Sequence, residues 1–198
     1  YDWATRYLAI SPNGEFAWVV GAGDGKISII RTADNQLVTR ILNLPSARHL
    51  AFTPDGTRAY VTAEKLSRVY VIDAQKFTLL NTIQFPAGVG TVTVDICKDG
   101  QFAMVSNYYG KPSVIDIDPK SPRYNQVTVE VPPKSSYQYC IAISPDGRTA
   151  YLSNQADRGA SPNSINIIEL NAASSARNTI INSIPVGTYP WGIAIVKQ

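Results

Sequence analysis

The chain has 198 residues, 44% of them hydrophobic and 17% charged, with 18 Lys and Arg against 15 Asp and Glu for a net charge of +3. These values exclude a disordered chain. The basic residues are dispersed, with no run of about five or six like charges, so no nucleic-acid partner is expected. No stretch of about 18 apolar residues occurs, so no transmembrane segment is expected either.

Taken in chain order, the residues write one pattern four times. In the first copy Leu8-Ala-Ile10 reads as a short strand A and Ser11-Pro-Asn-Gly14 as a tight turn. Phe16-Ala-Trp-Val-Val20, Lys26 to Ile30 and Leu37 to Leu42 follow as strands B, C and D. The second copy runs His49 to Thr53, Thr53-Pro-Asp-Gly56, Arg58-Ala-Tyr-Val-Thr62, Arg68 to Asp73 and Leu79 to Phe85. The third runs Val94-Asp-Ile96, Cys97-Lys-Asp-Gly100, Phe102-Ala-Met-Val105, Ser113 to Ile117 and Val127 to Val131. The fourth runs Ile141-Ala-Ile143, Ser144-Pro-Asp-Gly147, Thr149-Ala-Tyr-Leu152, Ser164 to Ile168 and Thr179 to Val186. The turn glycines fall 42, 44 and 47 residues apart. Four short strands at that period predict four-stranded antiparallel blades of a β-propeller. The second residue of strand B is alanine in every copy (Ala17, Ala59, Ala103, Ala150), beside Trp18, Tyr60, Met104 or Tyr151. Alternation sends the two to opposite faces, so tapered sheets can nest.

The run Phe52-Thr-Pro-Asp-Gly-Thr-Arg-Ala-Tyr-Val-Thr62, with Val69-Tyr-Val-Ile-Asp73 and Leu80-Asn-Thr-Ile83, resembles the YVTN-type propeller repeat. Tyr60-Val-Thr-Ala63 stands for the naming tetrad, and Tyr151-Leu-Ser-Asn154 and Met104-Val-Ser-Asn107 are near variants. Such repeats occur in surface-layer and periplasmic proteins, and they are similar to the propellers of quinoprotein amine dehydrogenases, haem d1 domains and some lactonases. The resemblance implies a periplasmic or extracellular binding or scaffold role; fold analogy does not choose a chemistry. The chain departs from the pattern at Trp18-Val-Val-Gly21, at Cys97-Lys98, along Asp118 to Tyr139, and in an insertion from Gln155 to Asn163.

A fifth strand A is expected at 192–196, giving one domain over 1–198 with blades at 7–44, 49–86, 93–132 and 140–186 plus that strand. Both ends then supply an A strand, and neither completes the other. The chain opens on Tyr1 rather than Met, as a processed or cut chain would. Three closures stay open: a longer ring of about seven blades, several chains completing one circle, or a closed four-bladed ring. The expected partners are further blades or a protein that completes the ring.

If the A strands line the axis, one mouth collects Arg6, Tyr7, Arg48, His49, Tyr139 and Trp191. Arginine suits carboxylate or phosphate and aromatics stack, so this mouth is a candidate pocket for a small anionic or aromatic ligand; an ordinary solvated loop rim is the preferred reading. His49 is the only histidine and no Gly-x-Ser-x-Gly is present, so no catalytic residue is assigned. One histidine and two scattered cysteines give no metal site, and no cofactor is expected. Asp73, Asp116 and Glu169 recur at the end of strand C, which predicts turn hydrogen bonding rather than acid–base chemistry. Cys97 and Cys140 lie at opposite ends of successive A strands, about 10 Å apart at roughly 3.3 Å per residue, and are expected to be free thiols. Gly21-Ala-Gly-Asp-Gly25 lacks the lysine and helix of a phosphate loop and reads as a B-to-C turn. A binding or scaffold module is the preferred reading; a lactonase-like hydrolase or redox-associated propeller is the alternative.

Overall fold

The computed structural model describes residues 5–21, 23–132, 137–155 and 163–195. Its strands form four separate four-stranded antiparallel sheets, each made of consecutive strands. The first blade is β1 (Thr5–Ile10), β2 (Phe16–Gly21), β3 (Lys26–Arg31) and β4 (Gln36–Ile41). The second is β5 (Ala47–Phe52), β6 (Arg58–Ala63), β7 (Arg68–Asp73) and β8 (Thr78–Gln84), with one 3₁₀ turn at Glu64–Leu66. The third is β9 (Thr91–Ile96), β10 (Phe102–Asn107), β11 (Ser113–Asp116) and β12 (Gln126–Glu130). The fourth is β13 (Gln138–Ile143), β14 (Thr149–Asn154), β15 (Ser164–Glu169) and β16 (Ile180–Pro185). The chain groups into two compact units, Tyr1–Val94 and Asp95–Gln198, whose boundary falls inside β9. Among the described residues no helix is long and apolar enough to cross a membrane.

The repeated turn explains why the A and B strands start and stop where they do. Gly14, Gly56, Gly100 and Gly147 all have φ between +68° and +76°, a region open to glycine at little cost. Each glycine N–H donates to the carbonyl of the residue that opens the turn, at 2.8 Å in all four copies. Where that residue is Ser11, Thr53 or Ser144, its hydroxyl donates to Asn13, Asp55 or Asp146 at 2.6 Å and accepts a strand B amide at 3.0 Å. The strand C carboxylates also act as read from the sequence. Asp73 accepts the amides of Gln75 and Lys76, Asp116 accepts the Asp118 amide and the Ser121 hydroxyl, and Glu169 accepts the Asn171 amide.

Alternation along strand B builds the cores. In the first unit Trp18 is fully buried, with Phe52 edge-on at 5.1 Å and 81° and Phe77 at 5.9 Å. Val20, Ile27 and Ile29 of the first blade join Leu50, Ala59, Val61 and Ile72 of the second around it. In the second unit Met104 and Val114 pack with Ile141, Ala150, Leu152 and Ile168. Burying one such aliphatic side chain is worth about 1.5–3 kcal/mol. Both cysteines are free; Cys97 lies in the second core and Cys140 is half-buried.

Two expectations need correction. The A strands begin two to three residues earlier than the sequence suggested, so Tyr7, Arg48 and Tyr139 lie inside β1, β5 and β13, as His49 does in β5. The fifth strand expected at 192–196 is not formed over 192–195, and residue 196 is outside the described residues. A strand exists through ladder bonds to a neighbour, and none of the described strands pairs with this segment. The insertion expected at 155–163 falls mostly outside the described residues.

Candidate functional site

The A–B pairs of the first, second and fourth blades carry an irregularity at the same place. It lies between Thr5 and Tyr7 in the first blade, between Ala47 and Leu50 in the second, and between Gln138 and Ile141 in the fourth. A bulge leaves residues outside the ladder and re-aims their side chains. Arg6, Arg48, His49, Tyr139 and Cys140 are the residues so displaced, and Tyr7 adjoins its bulge. The third residue of the tetrad fastens the bulges of the second and fourth blades. The Thr62 hydroxyl accepts the His49 amide at 3.2 Å and donates to the Val92 carbonyl of β9 at 2.8 Å. The Ser106 hydroxyl donates to the Tyr139 carbonyl of β13 at 2.9 Å, and Ser153 accepts the Cys140 amide at 2.9 Å.

In the first unit the structure brings together Tyr7, Arg48 and His49. The Tyr7 and His49 rings stack with centroids 3.7 Å apart and planes tilted by 35°. The Val94 amide donates to His49 Nδ1 at 3.5 Å, which leaves the proton of the neutral ring on Nε2. Burial, and secondarily the Arg48 charge, push the His49 pKa down from 6.5 to about 3. Arg48 is largely buried and its guanidinium donates to the carboxylate of Glu64. Glu64 sits on the 3₁₀ turn and was not singled out from the sequence, because a lone turn glutamate carries no signal until its partner is known. Arg6 is exposed.

In the second unit Tyr139 and Trp191 meet at 4.6 Å. They belong to a larger aromatic surface that the sequence did not reveal. Tyr108 lies 4.7 Å from Tyr109, 5.1 Å from Tyr137 and 6.4 Å from Tyr139. Tyr109 and Trp191, 67% and 62% exposed, present this surface to solvent.

Next to it lies a set of buried amides. Gln138 on β13 stands opposite Asn154 on β14, and Asn154 stands opposite Ser164 on β15. Asn166 stands opposite Leu152, which packs in the core shared with the third blade. Directly opposed residues share a sheet face, as do residues two apart along a strand, so Gln138, Asn154 and Asn166 occupy one face. All three are buried, yet both polar atoms of each side chain lack a hydrogen-bond partner, as does Nε2 of Gln155. Leaving one such group unsatisfied costs about 1–3 kcal/mol. In the second blade the same register positions hold Ala47, Ala63 and Tyr70, and the Tyr70 hydroxyl donates to the Pro45 carbonyl at 3.0 Å.

Residues 5–198 match the family model described as Lactonase, 7-bladed beta-propeller. The chain belongs to this lactonase propeller family. Four blades of that architecture are present here. This lactonase-family chain is 28% identical over 152 residues to the uncharacterized protein YncE of Salmonella typhi, covering 74% of its own length and 40% of that protein. It thus spans well under half of the curated relatives it matches. Among solved structures it is similar to Kuenenia stuttgartiensis hydrazine synthase, with a TM-score of 0.80 at 18% identity over 92% of this chain and 49% of that one. It is also similar to the periplasmic gluconolactonase PpgL of Pseudomonas aeruginosa, with a TM-score of 0.74 at 23% identity over 93% and 55%. A putative 6-phosphogluconolactonase from Bacteroides uniformis gives 0.77 at 19% over 96% and 60%. At these identities the likeness concerns the fold. Among the described residues of the lactonase-family chain, no group of three His, Cys, Asp or Glu stands where it could hold a metal ion.

Proposed function

We propose that this chain belongs to a lactone-hydrolysing propeller working outside the cytoplasm, and that its first unit contributes to the site that holds the ring ester. The observation that carries the reading is the polar set Tyr7, Arg48, His49 and Glu64, gathered at two neighbouring inner-strand bulges in a chain of the lactonase family. The gluconolactonase neighbours support a sugar-derived lactone as substrate and a periplasmic setting. In this reading residues 1–198 are part of one propeller domain of YVTN-like blades, completed by further blades.

Hydrolysis adds water across the ring ester. The water oxygen bonds to the carbonyl carbon, the carbonyl oxygen takes up negative charge, and the ring C–O bond breaks to give acid and alcohol. Arg48 and the Nε2–H of neutral His49 are donors suited to the developing oxyanion. Glu64 is the carboxylate placed to take the proton from water and return it to the leaving alkoxide. The ring of Tyr7 fixes His49 from the other side.

The test is D-glucono-δ-lactone hydrolysis by the full-length protein, followed in a pH-stat. Arg48→Met is expected to lower kcat/KM by about 10²–10³, the usual cost of one oxyanion donor, and Glu64→Gln to lower kcat with little change in KM. Wild-type rates in both variants would overturn the assignment. Saturable lactone binding without turnover would leave the second reading, a binding module whose Arg48–Glu64 pair positions the ligand.

A further inference from the structure

We propose that the seam between the third and fourth blades, within the second unit, is a binding site for an uncharged polyhydroxylated ligand, a glycan end or a free sugar or polyol. The inference goes beyond lactone hydrolysis and does not rest on it. Its first support is chemical. Seven amide nitrogen and oxygen atoms of Gln138, Asn154, Gln155 and Asn166 are buried without partners, out of ten such side-chain atoms among the described residues. Here they cluster on adjacent strands of one blade. The repeat does not demand them, since Ala47, Ala63 and Tyr70 fill the matching positions of the second blade. Asn107 Oδ1, at the end of β10 in the third blade, is a further buried acceptor without a partner.

The second support is the rim. Gln138 lies in sequence between Tyr137 and Tyr139, and the Gln155 amide donates to the Tyr137 carbonyl at 3.0 Å, so the amide set and the aromatic surface are one structure. The C–H face of a pyranose or polyol chain packs on an aromatic ring, and each hydroxyl donates and accepts, matching primary amides that do both. Among the described residues of this set no side chain is charged, so the set itself offers an ionic ligand no counter-charge in return for its lost hydration. Rotation of the exposed Tyr109 and Trp191 side chains and of the soft terminal amide torsions gives access.

The experiment uses the full-length protein and saturation-transfer difference NMR, followed by calorimetry. The probes are D-glucose, D-galactose, D-mannitol, maltotriose and chitotriose, with D-gluconate as the charged control. At least one neutral probe is expected to bind and gluconate to bind more weakly. Tighter binding of a trisaccharide than of glucose or mannitol identifies a glycan end; the reverse identifies a free sugar or polyol. Asn154→Ala and Trp191→Ala should each weaken the binding probe at least tenfold, while Arg48→Met, which tests the hydrolysis reading, should leave it unchanged. Trp191 is exposed, so its variant tests the site from the rim without disturbing the buried amides. Failure of every neutral probe to bind, or undiminished binding to both variants, overturns the proposal.

Discussion

The second and fourth blades are built on one register and end up with opposite interiors. At the start of its first strand the second blade places Ala47 opposite Ala63, where the fourth places Gln138 opposite Asn154. One rung further, opposite Val61 and Leu152, stand Tyr70 and Asn166. The second blade closes this end with alanine and a phenol bonded to Pro45; the fourth closes it with amides that bond nothing. The repeat therefore fixes the backbone and leaves this end of the seam free to vary. A blade that keeps it apolar contributes stability, and one that makes it polar gives stability away for recognition.

The sharpest way to break the comparison is to write the fourth blade into the second. Tyr70→Asn should cost about 3–5 kcal/mol, the range for emptying a buried aromatic site, read as a lower denaturant midpoint; a loss below 1 kcal/mol would mean the seam tolerates amides anywhere. Next comes titration. His49 has a folded pKa of about 3 against 6.5, so between these values the unfolded chain binds more protons. Stability is full above about pH 6.5 and falls as pH drops toward 3. His49→Gln should flatten that part of the profile. In the reverse exchange, Asn154→Ala should raise stability by about 1–3 kcal/mol by removing two unsatisfied buried atoms; a loss would show that the amide already has partners in solution. Smallest of all, Lys111→Met, which removes an exposed pair with Glu130 at 3.4 Å, should change stability by less than about 0.5 kcal/mol.

Most of the backbone was legible because its signals are local. The Pro-Asp-Gly turns and the alternation of Ala59 with Tyr60 need only neighbouring residues to be read, and the C strand of the second blade was read with the bounds Arg68–Asp73 that it has. The inner-strand starts were less legible because a bulge at Arg48 and His49 breaks the alternation that marks a strand. The fifth strand is not formed over 192–195, since Ile193 and Ile195 supply the strand pattern but none of the described strands pairs with them. The pairing of Arg48 with Glu64 is non-local, 16 residues apart, and one sequence offers no cue to it. The amides were visible in principle. Aligning the four copies puts Asn154 beneath Ala63 and Asn166 beneath Tyr70, but only the register shows that these positions face inward.

The hydroxyl at the third tetrad position has a consequence for how such chains are inherited. Thr62 and Ser106 each tie down the first strand of the blade that follows. A piece that begins at one blade's second strand and finishes with the next blade's first keeps these two bonds, although it parts each second strand from its own first strand. A cut at the sheet boundary does the reverse: it keeps the A–B ladder and severs the bonds from Thr62 to Val92 and from Ser106 to Tyr139.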